Sequence, residues 1–436
     1  IVREVREKKE KRVIFISGAP GAGKTLVGLQ LLFGTEKSVF VTGNAPLVDV
    51  LQLALKNSYK EKNAANQLNI PSGYKKEQIS RVINLATFNI EKAHRFLKDR
   101  STLSTPTDET LVIFDEAQRT YLKGRSVVSE RLERDEAELI LEALEKQNPG
   151  KGLVIICLLG HNQAINTGES GVISWFKAVN KSKDWSYQID EKTLSLNGLF
   201  DDISSRQMWS NHSKRKSLAK GHLDHSLRFW KNRDVEIWAS AVVDGNSDKA
   251  MEVATSLGKK GIRIYLTREL KTAKKWVNGL RVGEERLGMI ASSQARRLIS
   301  EGVHILPQSD SKIGHWMLAP SGDIRSSNTL DVAQNQFQIQ GLELDYTLVC
   351  WDADFRRAKT RWEAYNISGT KWQKQSKKEE QAYRENSYRV LLTRARKEMV
   401  IYIPNGDASQ IDETRNPLFY DGIFEFLVTC GCVVIN

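Results

Sequence analysis

The sequence predicts an α/β protein of two doubly wound lobes with parallel sheets. Short apolar strands alternate with helix-length segments along the whole chain. The strand pattern starts afresh beyond Leu218, and a single glycine-rich loop stands between strand and helix in the first half only. The 436 residues leave room for two or three cores, at about 150 residues per domain. The polar, basic segment from Asp201 to Gly221 marks the junction, so the expected lobes are 1–215 and 216–436.

Composition sets limits. Apolar residues make up 40% and charged residues 27%, ordinary for a globular chain. The 65 Lys and Arg exceed the 53 Asp and Glu, and the net charge of +12 favours a polyanionic partner such as nucleic acid. Of four cysteines, Cys157 and Cys350 lie in apolar runs and read as core. Cys430 and Cys432 lack a second pair to complete a zinc site. So few cysteines point to a reducing, cytoplasmic setting. The longest apolar run, LVIICLLG from Leu153, is too short to cross a bilayer, and no signal peptide is visible; no membrane partner is expected. The chain opens on Ile1 rather than Met, which leaves room for an upstream domain.

The first element that carries chemistry is RVIFISGAPGAGKTLVGLQLLFG, Arg12 to Gly34. A strand over Val13–Ile16 leads into G-x-x-x-x-G-K-T, and Leu26, Leu29, Leu31 and Leu32 continue as a helix. Gly18, Gly21 and Gly23 let the backbone curl so that successive N–H groups face a phosphate. The helix N-terminus adds partial positive charge. Lys24 is placed to bridge the β- and γ-phosphates, and the Thr25 hydroxyl to hold Mg²⁺.

Such a loop needs an acidic partner on a neighbouring strand. In ETLVIFDEAQR, the strand Leu111–Phe114 ends at Asp115 and Glu116. Asp115 is expected to order the Mg²⁺ water shell; Glu116 is expected to orient and deprotonate the attacking water. A catalytic Glu favours hydrolysis of the nucleotide over passing phosphate to a small molecule. A third strand, GLVIICLLG, is followed by Gln163, whose amide is placed to sense the γ-phosphate. His161 beside it reads as a loop histidine rather than a base.

Other nucleotide-binding classes fit less well. At Asn180 the run NKSK puts Lys183 where a guanine-reading Asp belongs, and no Leu-Ser-Gly-Gly-Gln signature is present. The second half must then explain itself. IRIYLT (from Ile262), RLGMIAS (from Arg286), YTLVCW (from Tyr346) and MVIYIP (from Met399) read as strands of a second sheet with no phosphate loop. In QFQIQGLELDYTLVCWD, Gln336 to Asp352, alternating Phe337 and Ile339 read as buried strand, interrupted by Gln340, Gly341 and Glu343. HLDHSLRFW offers Arg228, and YRVLLTRARKEMVIYIP offers Arg389, Arg394 and Arg396.

With these residues in order, the chain resembles a superfamily 1 helicase motor and, more narrowly, the Schlafen-like DNA/RNA helicase domain family. Gly18–Thr25 match motif I, Val39–Leu47 motif Ia, Asp115–Gln118 motif II and Gly160–Glu169 motif III. Ser226–Arg228 resemble motif IV, Gln340–Asp345 motif V and Leu392–Arg396 motif VI. The resemblance implies two RecA-like lobes with an ATP and Mg²⁺ site in the cleft between them. It implies that Arg228 and Arg394 act as arginine fingers, with Arg396 and Arg389 as alternatives. It implies that Gly341 and Glu343 face the nucleotide, and that Gln340 lies near the nucleic-acid backbone. Thr42, Asn44 and Pro46 of motif Ia, then Thr87 and Phe88, are the implied track for single-stranded DNA or RNA.

The expected function is an ATP-dependent nucleic-acid motor. The alternative is an ATPase switch or nucleic-acid sensor that regulates an effector domain or protein partner without unwinding. Between motifs V and VI, Arg356, Arg357, Lys359 and Arg361 interleave with Trp362, Tyr365 and Trp372, which reads either as a strand-binding surface or as a solvated insertion. One departure stands out: only IVREVREKKEK precedes the first strand, with no Gln-containing motif to read adenine. Either that element lies outside this chain or base recognition is loose.

Overall fold

The computed structural model describes residues 1–18, 22–66, 90–92, 109–120, 126–127, 130–131, 134–160, 172–195, 203–224, 231–307, 312–409 and 411–436. The chain divides into two compact units, Ile1–Leu227 and Arg228–Asn436.

Unit one begins with α1 (Val2–Glu7), β1 (Lys11–Gly18), α2 (Lys24–Gly34), β2 (Ser38–Thr42) and α3 (Ala45–Asn66). β3 (Ile90–Lys92), β4 (Leu111–Asp115) and the hairpin β5 (Ser126–Val127) and β6 (Glu130–Arg131) follow. Then come α4 (Glu136–Gln147), β7 (Leu153–Leu159), α5 (Ile173–Lys181), β8 (Trp185–Ile189), α6 (Glu191–Leu194), α7 (Ile203–Ser210), β9 (Arg215–Ser217) and β10 (His222–Leu223). The sheet order among the described residues is β3-β2-β4-β7-β1-β8-β9, with β10 beside β1, and the pairings are parallel.

β4 and β7 are buried along their whole lengths, which is why they read as continuous apolar runs. Successive side chains of β1 serve two cores. Val13 and Phe15 pack with Trp175, Phe176 and the apolar face of α4. Ile14 packs on the other face with Leu32, Phe40 and Val48. β10 pairs with β1 at Ser17 and Gly18, so the first unit runs on past the 215/216 junction expected from the basic segment.

Unit two has α8 (Lys231–Val243), α9 (Ser247–Lys259), β11 (Ile264–Thr267), α10 (Leu270–Leu280), β12 (Leu287–Ala291), β13 (His304–Ile305), α11 (Ile313–Leu318) and β14 (Val332–Asn335). β15 (Leu344–Cys350), an antiparallel sheet of β16 (Phe355–Ala358), β17 (Arg361–Ser368) and β18 (Lys371–Lys374), and α12 (Lys378–Leu392) follow. β19 (Ala395–Tyr402), α13 (Pro417–Thr429) and β20 (Val433–Val434) complete it. The second parallel sheet has the order β13-β14-β12-β15-β19-β11-β20.

One expectation is corrected here. Phe337 and Ile339 do not lie in a strand: β14 stops at Asn335 and a turn runs to Gly341. The segment is buried without alternation: Gln334, Asn335, Gln336, Gln338 and Ile339 are all buried, and Phe337 is 38% exposed. The buried amides bond to the backbone and to neighbouring side chains, such as Gln336 Oε1 accepting from Ser293 N–H at 2.9 Å. Of the basic and aromatic residues after motif V, Arg356, Trp362 and Trp372 are spent on packing and backbone contacts, while Lys359 and Arg361 are exposed. Arg356 is 9% exposed and lies between the rings of Tyr365 and Phe419, at 3.7 and 3.6 Å. Trp362 and Trp372 spend their indole N–H groups on the carbonyls of Val242 and Thr414, each at 2.7 Å.

A buried polar knot ties the carboxyl ends of β12 and β15 to α12 and α13. Asp354 accepts from Ser292 Oγ at 2.7 Å and Tyr388 Oη at 2.6 Å, and pairs with Arg384. Asp352 accepts from the N–H groups of Ala353 and Arg297 and from Tyr420 Oη.

A tight helix-to-sheet contact in unit one sits at Gly28 of α2, where an added Cβ would stand 2.7 Å from Phe40 and 2.9 Å from Leu158. Gly28→Val should therefore cost about 1–3 kcal/mol, read as a lower midpoint in chemical denaturation. An unchanged midpoint would show that α2 does not press on β2 and β7 at this point.

Candidate nucleotide site

The strand order brings three ends together. β7 lies between β1 and β4, so the strand ends at Gly18, Leu159 and Asp115 are neighbours at the carboxyl edge of the first sheet, where α/β folds hold their ligands. Gly23 takes φ +87° as the cap of α2, a conformation that suits glycine. Gly18 allows the close approach of β10: an added Cβ would stand 2.8 Å from that of Leu223. Gly21 and Gln163 lie outside the described residues, as do Arg228, Thr87 and Phe88.

Lys24 is buried and its Nζ donates to the Gly18 carbonyl at 2.8 Å, which turns the ammonium back to the end of β1. Thr25 Oγ1 donates to Asp115 Oδ2 at 3.1 Å, linking the start of α2 to the end of β4. Asp115 is 4% exposed. Burial above all, then the charge of Glu116, pushes its carboxyl up to about 7, against the pull of the Thr25 hydroxyl and the Lys24 ammonium. A hydroxyl and a buried carboxylate that resists ionisation are the donor set a hard cation satisfies together with phosphate oxygens. The two residues therefore fit Mg²⁺. Among the described residues no cluster of three or more His, Cys, Asp and Glu forms a metal cage by itself.

Glu116 is the strained residue. Its φ of 53° and ψ of 43° are left-handed, a conformation costing a non-glycine residue about 1–3 kcal/mol. Its carboxylate accepts from Gln118 Nε2, and Gln118 Oε1 accepts from Gly160 N–H at 3.0 Å. An added Cβ at Gly160 would stand 2.7 Å from Glu116 Oε2, so glycine there makes room for the carboxylate. Trp175 Nε1 donates to Ala117 O at 2.9 Å, and Thr120 and Ser174 share a hydroxyl bond of 2.9 Å, which ties the turn after Glu116 to α5. In the sequence Gln118 and Gly160 are only the edges of motifs. The D-E-x-Q spacing and a glycine directly after a strand are the signals that point to their work.

The expected nucleic-acid residues of motif Ia sit differently from one another. Thr42 and Pro46 are buried. The Thr42 hydroxyl accepts from Asn44 N–H at 3.1 Å, and Asn44 Oδ1 accepts from Leu47 N–H at 3.3 Å, so both shape the start of α3.

In unit two, motifs V and VI are neighbours. β15 and β19 pair from Leu344 and Ala395 onward, and Leu344 N–H donates to Arg394 O at 3.2 Å. Gly341 takes φ +76° in the turn leading to β15. Glu343 pairs with Arg396 at 2.9 Å, while Arg394 Nε donates to Val390 O at 3.1 Å. Arg389 pairs with Asp244 at 2.5 Å. Gln340 is half-buried beside Gly341.

A parallel sheet with a glycine-rich strand-to-helix junction beside a strand-end Asp-Glu pair, and a second parallel sheet after it, fit the class of proteins with two RecA-like lobes. A profile of the Schlafen group 3 DNA/RNA helicase domain matches residues 11–405. The chain belongs to that family. Solved structures with which it aligns include arterivirus nonstructural protein 10, a helicase, at 12% identity over 92% of this chain and 62% of that one, TM-score 0.26. The helicase domain of Pyrococcus furiosus Hef aligns at 13% identity over 94% and 96%, TM-score 0.26. The arterivirus helicase in complex with DNA aligns at 11% over 95% and 66%, TM-score 0.25. The chain spans less than two thirds of the arterivirus protein. No curated protein matches the sequence. No described helix is long and apolar enough to cross a membrane.

Two buried carboxyls make stability depend on pH. Asp115 and, in unit two, Asp352 are each pushed up to about 7, Asp352 by burial first and then by Asp354. An unfolded Asp titrates near about 3.9. The folded chain therefore holds these protons more tightly, and the stability they contribute is full below about 4 and lost as pH rises through about 7. Asp115→Asn keeps a neutral side chain at every pH. It should match wild type near pH 4 and exceed it by a few kcal/mol at pH 8, since each tenfold change in proton affinity is worth about 1.4 kcal/mol. Equal denaturation midpoints at both pH values would show that Asp115 ionises without penalty.

Proposed function

We propose that the chain is an ATP-dependent nucleic-acid motor that hydrolyses ATP to translocate on or remodel DNA or RNA. The reading rests above all on Glu116, held in a left-handed backbone by the Gln118–Gly160 link, next to the Thr25–Asp115 bond. A strained carboxylate fixed beside a phosphate loop is what water activation requires.

In this proposal Lys24 leaves the Gly18 carbonyl to hold the β- and γ-phosphates, as do the N–H groups of the loop. Thr25 and Asp115 hold Mg²⁺, which supplies charge neutralisation at the phosphates. Glu116 orients the attacking water and takes its proton, and Gln118 keeps the carboxylate aimed. Gln163 senses the γ-phosphate. Arg394 and Arg228 serve as arginine fingers, with Glu343 and Gly341 on the nucleotide. Asn44, Thr42, Pro46, Thr87, Phe88 and Gln340 belong to the nucleic-acid track, with single-stranded DNA or RNA as partner. The competing outcomes are a nucleic-acid sensor and a protein-controlled switch. ATP hydrolysis stimulated by a single strand with no displacement of a paired one would mark the sensor, and no response to nucleic acid would mark the switch.

The test is ATP turnover with and without single-stranded DNA or RNA, beside nucleotide binding measured separately. Lys24→Ala should weaken ATP binding itself. Glu116→Gln should keep binding and lose turnover by about 10²–10⁴-fold. Gly160→Ala, which pushes on the Glu116 carboxylate, should lose about 10- to 100-fold with binding kept. Arg394→Ala should lose about 10³-fold. Turnover untouched by Glu116→Gln would remove this site from hydrolysis, and turnover untouched by Arg394→Ala would pass the finger role to Arg396 or Arg389.

A further inference from the structure

The opposite edge of the first sheet carries a basin of about 740 Å³ lined by Lys9, Lys11, Lys151, Lys183, Lys214 and Lys216. Its origin is regular. β7, β1, β8 and β9 are neighbours, and each is entered through lysine: Lys151 before Leu153, Lys9 before Lys11, Lys183 before Trp185 and Lys214 before Arg215. We propose that this basin is an anion site for a compact polyphosphate, separate from the phosphate loop at the carboxyl edge.

Charge arithmetic separates this from a merely solvated face. Lysines near helix C-termini have an ordinary use, and Lys214 shows it by donating to the carbonyls of Val179 and Asn180 at the end of α5, at 2.8 and 3.2 Å. The three helices that end here, α1, α4 and α5, contribute about half a negative charge each. The carboxylates in the lining are Glu10, bonded to Lys216 at 2.9 Å, and Asp184, bonded to Lys11 at 3.1 Å. Glu145 also touches Lys11, at 3.3 Å. Three half-charges and three carboxylates offset about 4.5 of six positive charges. Arg12 adds another cation through its pair with Glu10. A surplus of about two to three positive charges is left, and Lys9 and Lys183 have no ion-pair partner among the described residues.

Size and lining define the ligand. Four strands spaced about 4.8 Å apart give a frontage of about 14 Å, which suits a few linked phosphates better than a track. The volume lies in the range of small-ligand pockets. The lining offers no exposed ring to stack a base: Trp185 belongs to it but is 1% exposed, and its buried indole N–H has no acceptor among the described residues. Recognition by ammonium groups alone reads charge, not sequence.

Inorganic tripolyphosphate is the probe, titrated calorimetrically. Wild type should bind at two sites, the loop and the basin. Lys24→Ala should keep one, and Lys9→Glu with Lys183→Glu in that background should weaken it about tenfold or more. Lys9→Gln with Lys183→Gln should do so to a smaller degree, and neither pair should change basal ATP turnover. Loss of all binding in Lys24→Ala alone would overturn the proposal. So would unchanged affinity in both pairs. If the pairs weaken an oligothymidylate but not tripolyphosphate, the site belongs to a nucleic-acid backbone and the compact ligand is wrong.

Discussion

The hydrogen bond from Thr25 to Asp115 is the constraint on which the first unit's chemistry depends. It joins the start of α2 to the end of β4 at the edge of a sheet in which β7 is wholly apolar and β4 is apolar up to Asp115. A carboxylate there is expensive, and its proton is held up to about 7. One hydroxyl and one ammonium do not offset that burial. Under the proposed function, a cation held by the same oxygens would offset it, which would link metal binding to proton release. Glu116 follows directly. A chain leaving β4 at Asp115 must turn at once, and the left-handed turn is held only because Gln118, Gly160 and Trp175 fix what surrounds it.

Much of this was legible in the sequence because the signals were local. The phosphate loop, its strand and its helix lie within one stretch, and β4 announces Asp115 and Glu116 by an apolar run that stops at two acids. The role of Gly160 was not legible. It acts by lacking a Cβ beside Glu116, more than forty residues away in sequence, and only the insertion of β7 between β1 and β4 brings them together. The turn at Phe337 failed for a related reason. Its glutamines find backbone partners just past β12 and on β14, and period-two patterning assumes that buried means apolar.

Arginine shows the same limit in the second unit. Arg356, Arg384, Arg394 and Arg396 are indistinguishable as sequence, yet they are spent differently. Arg356 lies between two rings, and Arg384 neutralises the buried Asp354. Basic residues interleaved with aromatics describe a strand-binding groove and a cation–π core equally well, since the ring face attracts a guanidinium in either setting. Arg394 and Arg396 sit instead where α12 gives way to β19, bonded to Val390 O and to Glu343. Arg396 makes its pair with Glu343 at an exposed position, which sets it apart from the enclosed Arg356 and Arg384.

The first sheet also treats its two edges by different rules, and the difference is dictated by helix direction. Strand-to-helix turns place helix N-termini at the carboxyl edge, so an anion there is met by backbone N–H groups and partial positive charge, and one lysine, Lys24, is enough. Helix-to-strand turns place C-termini at the amino edge, where the backbone repels an anion. Any anion held at that edge must be held by side chains, in numbers exceeding what the helix ends themselves consume. Lys214 is consumed, since carbonyls of α5 accept its Nζ. Lys9 and Lys183 line the same space and form no ion pair among the described residues. A fold needing lysines only to close its helices would place them at the last carbonyls. The lining of the basin instead gathers six around one space.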